Sequence, residues 1–430
     1  MKSVCRLGHP SQKSRHSGES RNPDAISAKA AQMSFSRRSP RVPLDSGFRR
    51  NDAHKVILCF VFLILFLPCQ AFAQAVAPIE TAARQAFLVD TSTGTPLFTK
   101  DADTQMPTSS MSKMLTMYIV FEAIKNGKLK LDETLPTSEH AWKQEGSRMF
   151  LNLGQRARVE DLIRGVIIQS GNDAAVVLAE GLAGSEESFA EMMNDKAKQL
   201  GMNNSHFVNA TGMPDPQHYS TARDLATLAQ ALIRDFPENY HYFSELEFTY
   251  NDIKQGNRNP LLYRSMNVDG LKTGHTDVGG YGLTASALRN GRRMVLVLNG
   301  LTDMQARADE SAKVLDWGYR EFGLYPIMKA GDVIAQAKVW LGREASVPLL
   351  ASTDMALSLP RSARASLKVE AVFDQPASAP IVKGQVLGKL IVTAPGMEAK
   401  EVPLIAGKDI ERLGFFARLS AKLHLLLHKA

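Results

Sequence analysis

The apolar positions of this chain change their period several times along its length, and each change marks a different kind of segment. Val56–Leu67 is an unbroken apolar run of 12 residues. It follows His54-Lys55 and ends at Ala71-Phe-Ala73, the basic flank and small-residue exit of a secretory signal. A membrane-spanning helix needs roughly 20 apolar residues, so residues 55–73 are expected to be a signal peptide cleaved after Ala73. From Ile79 onward helical and strand periods mix. Ala86–Asp90 and Thr95–Phe98 flank the turn-like TSTG and predict a hairpin. Met111–Lys125 predicts an apolar helix closed by Asn126-Gly127. Val159–Ala183 predicts another, broken at its centre by Ser170-Gly-Asn172. Phe189–Leu200 and Thr221–Ile233 predict amphipathic helices, Gly282–Ser286 and Arg293–Leu298 strands, and Asp309–Tyr319 a last helix. A helical insert within a sheet framework implies an α/β (α+β) domain over residues 78–326.

After Pro326 the texture changes to short β-favouring runs separated by turns: Ala337–Leu341, Ser346–Leu350, Leu367–Phe373, Gln385–Val392 and Glu401–Ile405. These predict a small all-β domain over residues 330–410. In residues 411–430, Leu413, Phe416, Leu419, Leu423, Leu426 and Leu427 recur mostly at intervals of three and four, with Arg418, Lys422 and Lys429 on a flank. A basic amphipathic helix of this kind is expected to lie in a membrane interface; the alternative is a helix docked on the β domain or on a second subunit.

Charge refines the boundaries. The whole chain carries +7, but residues 1–73 hold 12 Lys+Arg against 4 Asp+Glu, which leaves −1 for residues 74–430. The basic balance therefore gives no ground for nucleic-acid binding. Residues 1–54 are polar, arginine-rich and without a hydrophobic period, and SRNPDA and LDSGFRRNDA resemble translated bacterial interspersed repeats. This extension is expected to be absent from the mature protein. All three cysteines, Cys5, Cys59 and Cys69, precede Ala73, so no disulfide, thiol nucleophile or thiolate metal site is expected after it. An exported domain of this size can be stable without disulfides.

Three polar motifs then supply candidate chemistry: Ser110-Met-Ser-Lys113, Ser170-Gly-Asn172 and Lys272-Thr-Gly274, their first residues 60 and 102 positions apart. Each is common alone; the ordered set is a signature of active-site serine enzymes that handle penicillin or D-alanyl peptides. Ser110 and Lys113 are three apart, so a helix beginning near Ser110 puts both on one face. A serine hydroxyl attacks a carbonyl poorly unless a base takes its proton. Lys113 can be that base if its amine is brought from ~10.4 toward neutrality. Ser170 is placed to relay a proton, and Asn172 to hold the substrate amide and orient Lys113. Gly274 lets a peptide approach the strand edge, Lys272 adds positive potential and Thr273 can bond a carboxylate. The backbone N–H groups of Ser110 and His275 are expected to form the oxyanion hole, typically worth ~3–4 kcal/mol per donor. His275 has no acidic partner in a recognised order and is read as structural. No metal cluster or nucleotide loop calls for a cofactor.

The segments PTSSMSKMLTMY, IIQSGNDAAVVLAE, FVNATGMPDPQHYSTARDLA, NRNPLLYRSMNVDGLKTGHTDVGGYGLTAS and DWGYREF resemble the low-molecular-mass penicillin-binding proteins of the D-alanyl-D-alanine carboxypeptidase type, peptidase family S11. The resemblance implies a serine β-lactamase/transpeptidase-like catalytic domain with an antiparallel sheet and a helical subdomain. It also implies a periplasmic enzyme peripherally attached to the outer face of the inner membrane. Ser110 would be acylated with loss of the terminal D-alanine of the peptidoglycan stem pentapeptide, Lys113 acting as base and Ser170, Asn172, Lys272 and Thr273 lining the site. β-Lactams would be covalent inhibitors. Arg258 and Arg307 match two family arginines near the site and are expected to face the substrate carboxylate. The alternatives are a D-alanyl-D-alanine endopeptidase, a serine β-lactamase, for which only Glu145 stands in permissive territory as a deacylating glutamate, and a catalytically silent peptidoglycan-binding scaffold.

Overall fold

A computed structural model describes residues 2–6, 78–395 and 397–420; the expected signal peptide and residues 421–430 of the expected tail helix lie outside the described residues. The catalytic half is organised on a five-stranded antiparallel sheet. Its strands are β1 (Gln85–Asp90), β2 (Thr95–Lys100), β3 (Val268–Thr276), β4 (Gly280–Arg289) and β5 (Arg292–Leu301), in the order β2-β1-β5-β4-β3. The expected hairpin is present as β1–β2, with Asp90 opposite Thr95. Side chains alternate across a strand, and here both faces are buried. Phe87, Val89, Val295 and Val297 face a core shared with the helical insert, while Leu88, Met294, Leu296 and Leu298 face a second core with Val314, Leu315 and Trp317.

The insert between β2 and β3 contains α1 (Lys113–Lys125), α2 (Val159–Ile167), α3 (Asn172–Ala183), α4 (Glu186–Gln199) and α5 (Ala222–Asp235), and α6 (Met304–Glu321) follows β5. Nine consecutive residues of α1, Lys113 to Phe121, are buried, so α1 is apolar all round and central rather than amphipathic. The starts of α4 and α5 are fixed by caps: Ser185 Oγ accepts from Ser188 N–H, and Thr221 Oγ1 from Asp224 N–H. Such bonds satisfy otherwise unpaired amides of a first turn. The last helix begins at Met304, five residues before the sequence pattern indicated. Asp303 caps it, accepting from Ala306 N–H at 2.7 Å, and the polar first turn gave no hydrophobic period to read.

The second half has its own core, built around Val347, Leu349, Ala371, Leu390, Val392 and Leu404. Its main sheet runs in the order Lys2–Arg6, Lys368–Asp374, Val386–Thr393, Lys400–Ala406, Ser346–Ala351, Val333–Trp340, Ala377–Ser378. A separate pair, Phe322–Met328 with Met355–Pro360, escaped the sequence reading because Pro326 reads as a break. Pro326 is exposed, and the pairing shifts register between Pro326 and Met328, which is how a strand accommodates a residue without an N–H. This pair is tied to β1 through a buried ion pair. Arg292 Nε donates to Asp90 at 2.6 Å, Ser358 Oγ donates to the same carboxylate, and Arg292 Nη1 donates to Phe322 O at 2.7 Å.

Candidate active site

The apolar helix α1 fixes Lys113, and the chain reaches it through a 3-10 turn over Ser109–Ser112. Ser109 has φ +50° and Ser170 φ +59°. Holding non-glycine residues in the left-handed region costs roughly 1–3 kcal/mol and is seen where surrounding packing enforces it. Ser170 sits between α2 and α3, in a turn closed by Gly171 N–H to Gly165 O at 2.8 Å and Asn172 N–H to Ser147 O at 2.7 Å. The expected break in the long apolar helix is therefore a sharp corner that aims Ser170 and Asn172 inward.

Lys113 is 0 % exposed. Its Nζ lies 3.0 Å from Ser110 Oγ and donates to Asn172 Oδ1 at 2.6 Å and to Thr211 O at 2.5 Å. Burial, seconded by the positive charge of Arg258 and opposed by Asp173 and Glu186, brings the amine down to about 7. Lys272 approaches from β3. It is 2 % exposed and donates to Ser170 Oγ at 3.0 Å and Thr273 O at 3.3 Å. Burial first, then Lys113, Arg258 and Arg307, hold its amine well below the ordinary lysine value. The five groups of the three motifs thus meet although they are far apart in the chain.

Two glycines permit this convergence. A Cβ on Gly274 would lie 2.7 Å from Thr108 O and 3.1 Å from Ser109 Cβ, and one on Gly212 only 1.9 Å from Ser109 O. Strand β3 and the loop before α5 therefore close on the serine turn at backbone distance. Gly282 is less constrained, since a Cβ there would first meet side-chain ends, Asn299 Oδ1 at 2.5 Å and Met111 Cε at 2.6 Å.

Arg307 is 7 % exposed, donates to Arg258 O at 3.5 Å, lies over the Tyr281 ring, and leaves Nε without a partner. Arg258 donates to Ser147 Oγ. Among the described residues Arg258 and Arg307 have no carboxylate partner in an ion pair, so the cleft holds positive charge suited to an anion. Thr273 is buried on β3 between Lys272 and Gly274. The His275 side chain is exposed, its ring stacked on Tyr281 with centroids 3.9 Å apart, and its bonding gives it no link to Ser110. Glu145 also has an exposed side chain; what it contributes is its carbonyl, which accepts from Asn172 Nδ2 at 2.7 Å.

The structure adds supports that the motifs did not reveal. Asp173 is 1 % exposed and accepts from the N–H groups of Met149 (2.9 Å), Leu151 (3.1 Å) and Ala174 (2.9 Å), fastening the Ser170 corner to the preceding loop. Behind Ser110, Thr108 Oγ1, Ser112 Oγ and His218 Nε2 form a buried chain with separations of 2.5 and 2.7 Å. Burial above all brings His218 down to about 4, so it is neutral at physiological pH. An acidic residue within the apolar NDAAVVLA run was a readable signal for Asp173. Thr211, acting through its carbonyl, left none.

A serine whose hydroxyl touches a buried lysine, in a cleft between an edge strand and a helical subdomain, defines a serine hydrolase of the penicillin-recognising class. The comparisons with known proteins agree. The family model for D-alanyl-D-alanine carboxypeptidase matches residues 71–302, and that for the penicillin-binding protein 5 C-terminal domain matches residues 322–412. D-alanyl-D-alanine carboxypeptidase DacC of Escherichia coli is 40% identical over 368 residues, covering 83% of this chain and 92% of its own. DacA of Haemophilus influenzae is 38% identical over 371 residues, covering 83% and 94%. The crystal structure of penicillin-binding protein 5 from Haemophilus influenzae superposes with a TM-score of 0.70 at 38% identity, over 79% of this chain and 100% of that one. The chain belongs to peptidase family S11, the low-molecular-mass penicillin-binding proteins, and is a serine-type D-alanyl-D-alanine carboxypeptidase.

Proposed function

We propose that the chain trims the terminal D-alanine from peptidoglycan stem pentapeptides through an acyl-Ser110 intermediate. The observation that carries this reading is the buried Lys113 amine, about 7, lying 3.0 Å from Ser110 Oγ. In its neutral form Lys113 has two N–H groups, which suit Asn172 Oδ1 and Thr211 O, and one lone pair left for the Ser110 proton. As Ser110 Oγ attacks the carbonyl of the penultimate D-alanine, its proton passes to Lys113 Nζ. The carbonyl oxygen becomes an oxyanion facing the N–H groups of Ser110 and His275. Collapse breaks the C–N bond, and Ser170, held by Lys272, relays the proton to the leaving D-alanine nitrogen. Water then attacks the ester, giving its proton to Lys113, which returns it to Ser110 Oγ as the C–O bond breaks and the shortened peptide leaves.

The substrate lies along the free edge of β3 as an added strand, with Asn172 toward its amide. Its terminal carboxylate faces Lys272, Thr273, Arg258 and Arg307. Gly274 keeps the backbone open for that approach. β-Lactams would enter the same path and stop at the acyl-enzyme. The exposed carboxylate of Glu145 makes rapid β-lactamase deacylation through that residue unsupported. Phe415, Phe416 and Leu419 are 66%, 82% and 55% exposed on the helical residues 415–420. Together with the basic amphipathic pattern of residues 421–430, they support peripheral attachment at the periplasmic face of the inner membrane. Among the described residues no helix is long and apolar enough to cross a membrane.

The test is mass spectrometry of residues 74–430 with a pentapeptide ending in D-alanyl-D-alanine, with and without penicillin. Loss of one alanine, blocked by a penicillin adduct at Ser110 and abolished in Ser110→Ala, is expected. An unfolded-free Ser110→Ala protein that is still labelled by penicillin would overturn the assignment.

A further inference from the structure

The serine turn is held from behind by a side chain that neither the three motifs nor the proposed reaction uses. His218 is 4 % exposed, its ring set edge-on to buried Phe207 with centroids 5.3 Å apart, and its backbone N–H donates to Asp215 O at 3.0 Å. The ring bridges two segments. Its Nδ1 accepts from Val208 N–H at 3.3 Å, and its Nε2 lies 2.7 Å from Ser112 Oγ. A backbone N–H can only donate, so Nδ1 is the bare nitrogen and the ring proton sits on Nε2. His218 therefore donates to Ser112, which leaves the Ser112 hydroxyl proton for Thr108 Oγ1 at 2.5 Å.

These groups grip both ends of the turn that carries the nucleophile. Thr108 opens it, its carbonyl accepting from Met111 N–H at 3.1 Å, and Ser112 closes it one residue before Lys113. Thr108 and Ser112 are fully buried, so no water replaces the bond if its donor is lost. At the other ring nitrogen, Val208 begins the segment whose Thr211 carbonyl accepts from Lys113. One imidazole thus spans the turn of the nucleophile and the loop that orients its base. Burial keeps the ring uncharged, at about 4. It supplies a directed N–H without setting a second cation beside Lys113 as that amine takes the Ser110 proton.

We infer that His218 is a positioning residue for acylation: through Ser112 and Thr108 it holds the turn so that Ser110 Oγ stays within reach of Lys113 and of the substrate carbonyl. The acting part is the Nε2–H bond to Ser112, not the bulk of the ring. This rests on the acyl-Ser110 reading above and deepens it.

The test measures the dissociation constant of penicillin and the first-order rate of acylation by stopped flow on residues 74–430. The variants are His218→Gln, His218→Asn and His218→Leu. Glutamine places an amide N–H where Nε2 stands; asparagine places its carbonyl near the Nδ1 position and falls short of Ser112. His218→Gln should acylate within about threefold of wild type, and His218→Asn and His218→Leu roughly 10- to 100-fold more slowly, the range of a displaced reacting group. The dissociation constant should change little in all three. Ser112→Ala breaks the same chain with His218 intact and keeps the test decisive where His218→Leu fails to fold. It should be about as slow as His218→Leu, and the double variant no slower than either. A glutamine variant as slow as the leucine one, full-rate acylation in His218→Leu or Ser112→Ala, weaker penicillin binding at an unchanged rate, or additive losses in the double variant would each overturn the inference and leave the acyl-Ser110 reading intact. A wild-type protein that forms no adduct at Ser110 would overturn that reading and the inference with it.

Discussion

The depressed amine of Lys113 has a thermodynamic signature that can be measured without any substrate. A lysine at 10.5 in the unfolded chain and about 7 in the folded one binds more protons when unfolded at every pH between those values. Stability therefore rises with pH across that window. Its contribution is complete above 10.5 and is lost as pH falls through about 7. The slope is about 1.4 kcal/mol per pH unit, and the whole shift corresponds to roughly 5 kcal/mol. Lys113→Met keeps a long, unbranched side chain but cannot titrate. It orphans Asn172 Oδ1 and Thr211 O, at about 1–3 kcal/mol each, and that cost does not depend on pH. Lys272 remains in both proteins; its depression by burial, the largest cause, cancels in the comparison, whereas the part owed to Lys113 is lost in the variant and acts where Lys113 is charged, below about 7. Urea unfolding of wild type and Lys113→Met at pH 7, 8 and 9 should give stabilities whose difference grows in favour of the wild type by about 1 kcal/mol over the first unit, where Lys113 is still partly protonated, and by about 1.3 kcal/mol over the second. Penicillin labelling of the wild type should rise with a midpoint near 7 and be lost in the variant. Two parallel stability curves would refute the claim that Lys113 is a buried, neutralised base.

Asp173→Asn turns one acceptor into a donor facing the Leu151 or Met149 amide, and should lower Tm by about 3–8 °C for a loss of about 1–3 kcal/mol. Because the Asp173 charge favours the cationic form of Lys113, the same variant should move the acidic limb of penicillin acylation to lower pH, which a stopped-flow pH profile checks. Gly212→Ala places a Cβ in contact with Ser109 O in a left-handed conformation (φ +79°). It should slow acylation by up to about 100-fold through displacement of the serine turn, read from the rate of adduct formation in protein that remains folded by circular dichroism. Deletion of residues 411–430 should release the exported protein from membranes in a flotation assay, and an unchanged bound fraction would place the attachment elsewhere.

The sequence made some levels of this architecture legible and hid others, for physical reasons. The β1–β2 hairpin and the helices α2 to α5 stood out because their periods are clean. The three motifs stood out as an ordered set, and Ser170-Gly-Asn172 also because it interrupts an apolar run, which costs stability unless the polar groups face a cleft or a partner. The pairing of Phe322–Met328 with Met355–Pro360 was hidden because an exposed proline at a register shift looks the same as a strand end. In the site, Ser110, Lys113, Ser170, Asn172 and Lys272 converge as side chains, and side-chain type is what a sequence displays. The contributions of Thr211 and Glu145 come through carbonyl groups, which every residue carries. The chain from Thr108 through Ser112 to His218 depends on residues separated by more than 100 positions, which no local pattern connects.

The burial of Lys113 means that the nucleophile is switched on by folding itself. While the chain is extended during translocation, that lysine keeps its ordinary basicity and Ser110 has no base, so neither the cell wall nor an antibiotic meets a reactive serine. Activity appears only when α1, α3, the loop carrying Thr211 and strand β3 have assembled, since each supplies one wall around the same amine. Covalent labelling by penicillin is therefore a reporter of completed folding as well as of catalysis. Applied to cells, it would count the fraction of exported chains that have reached the native state.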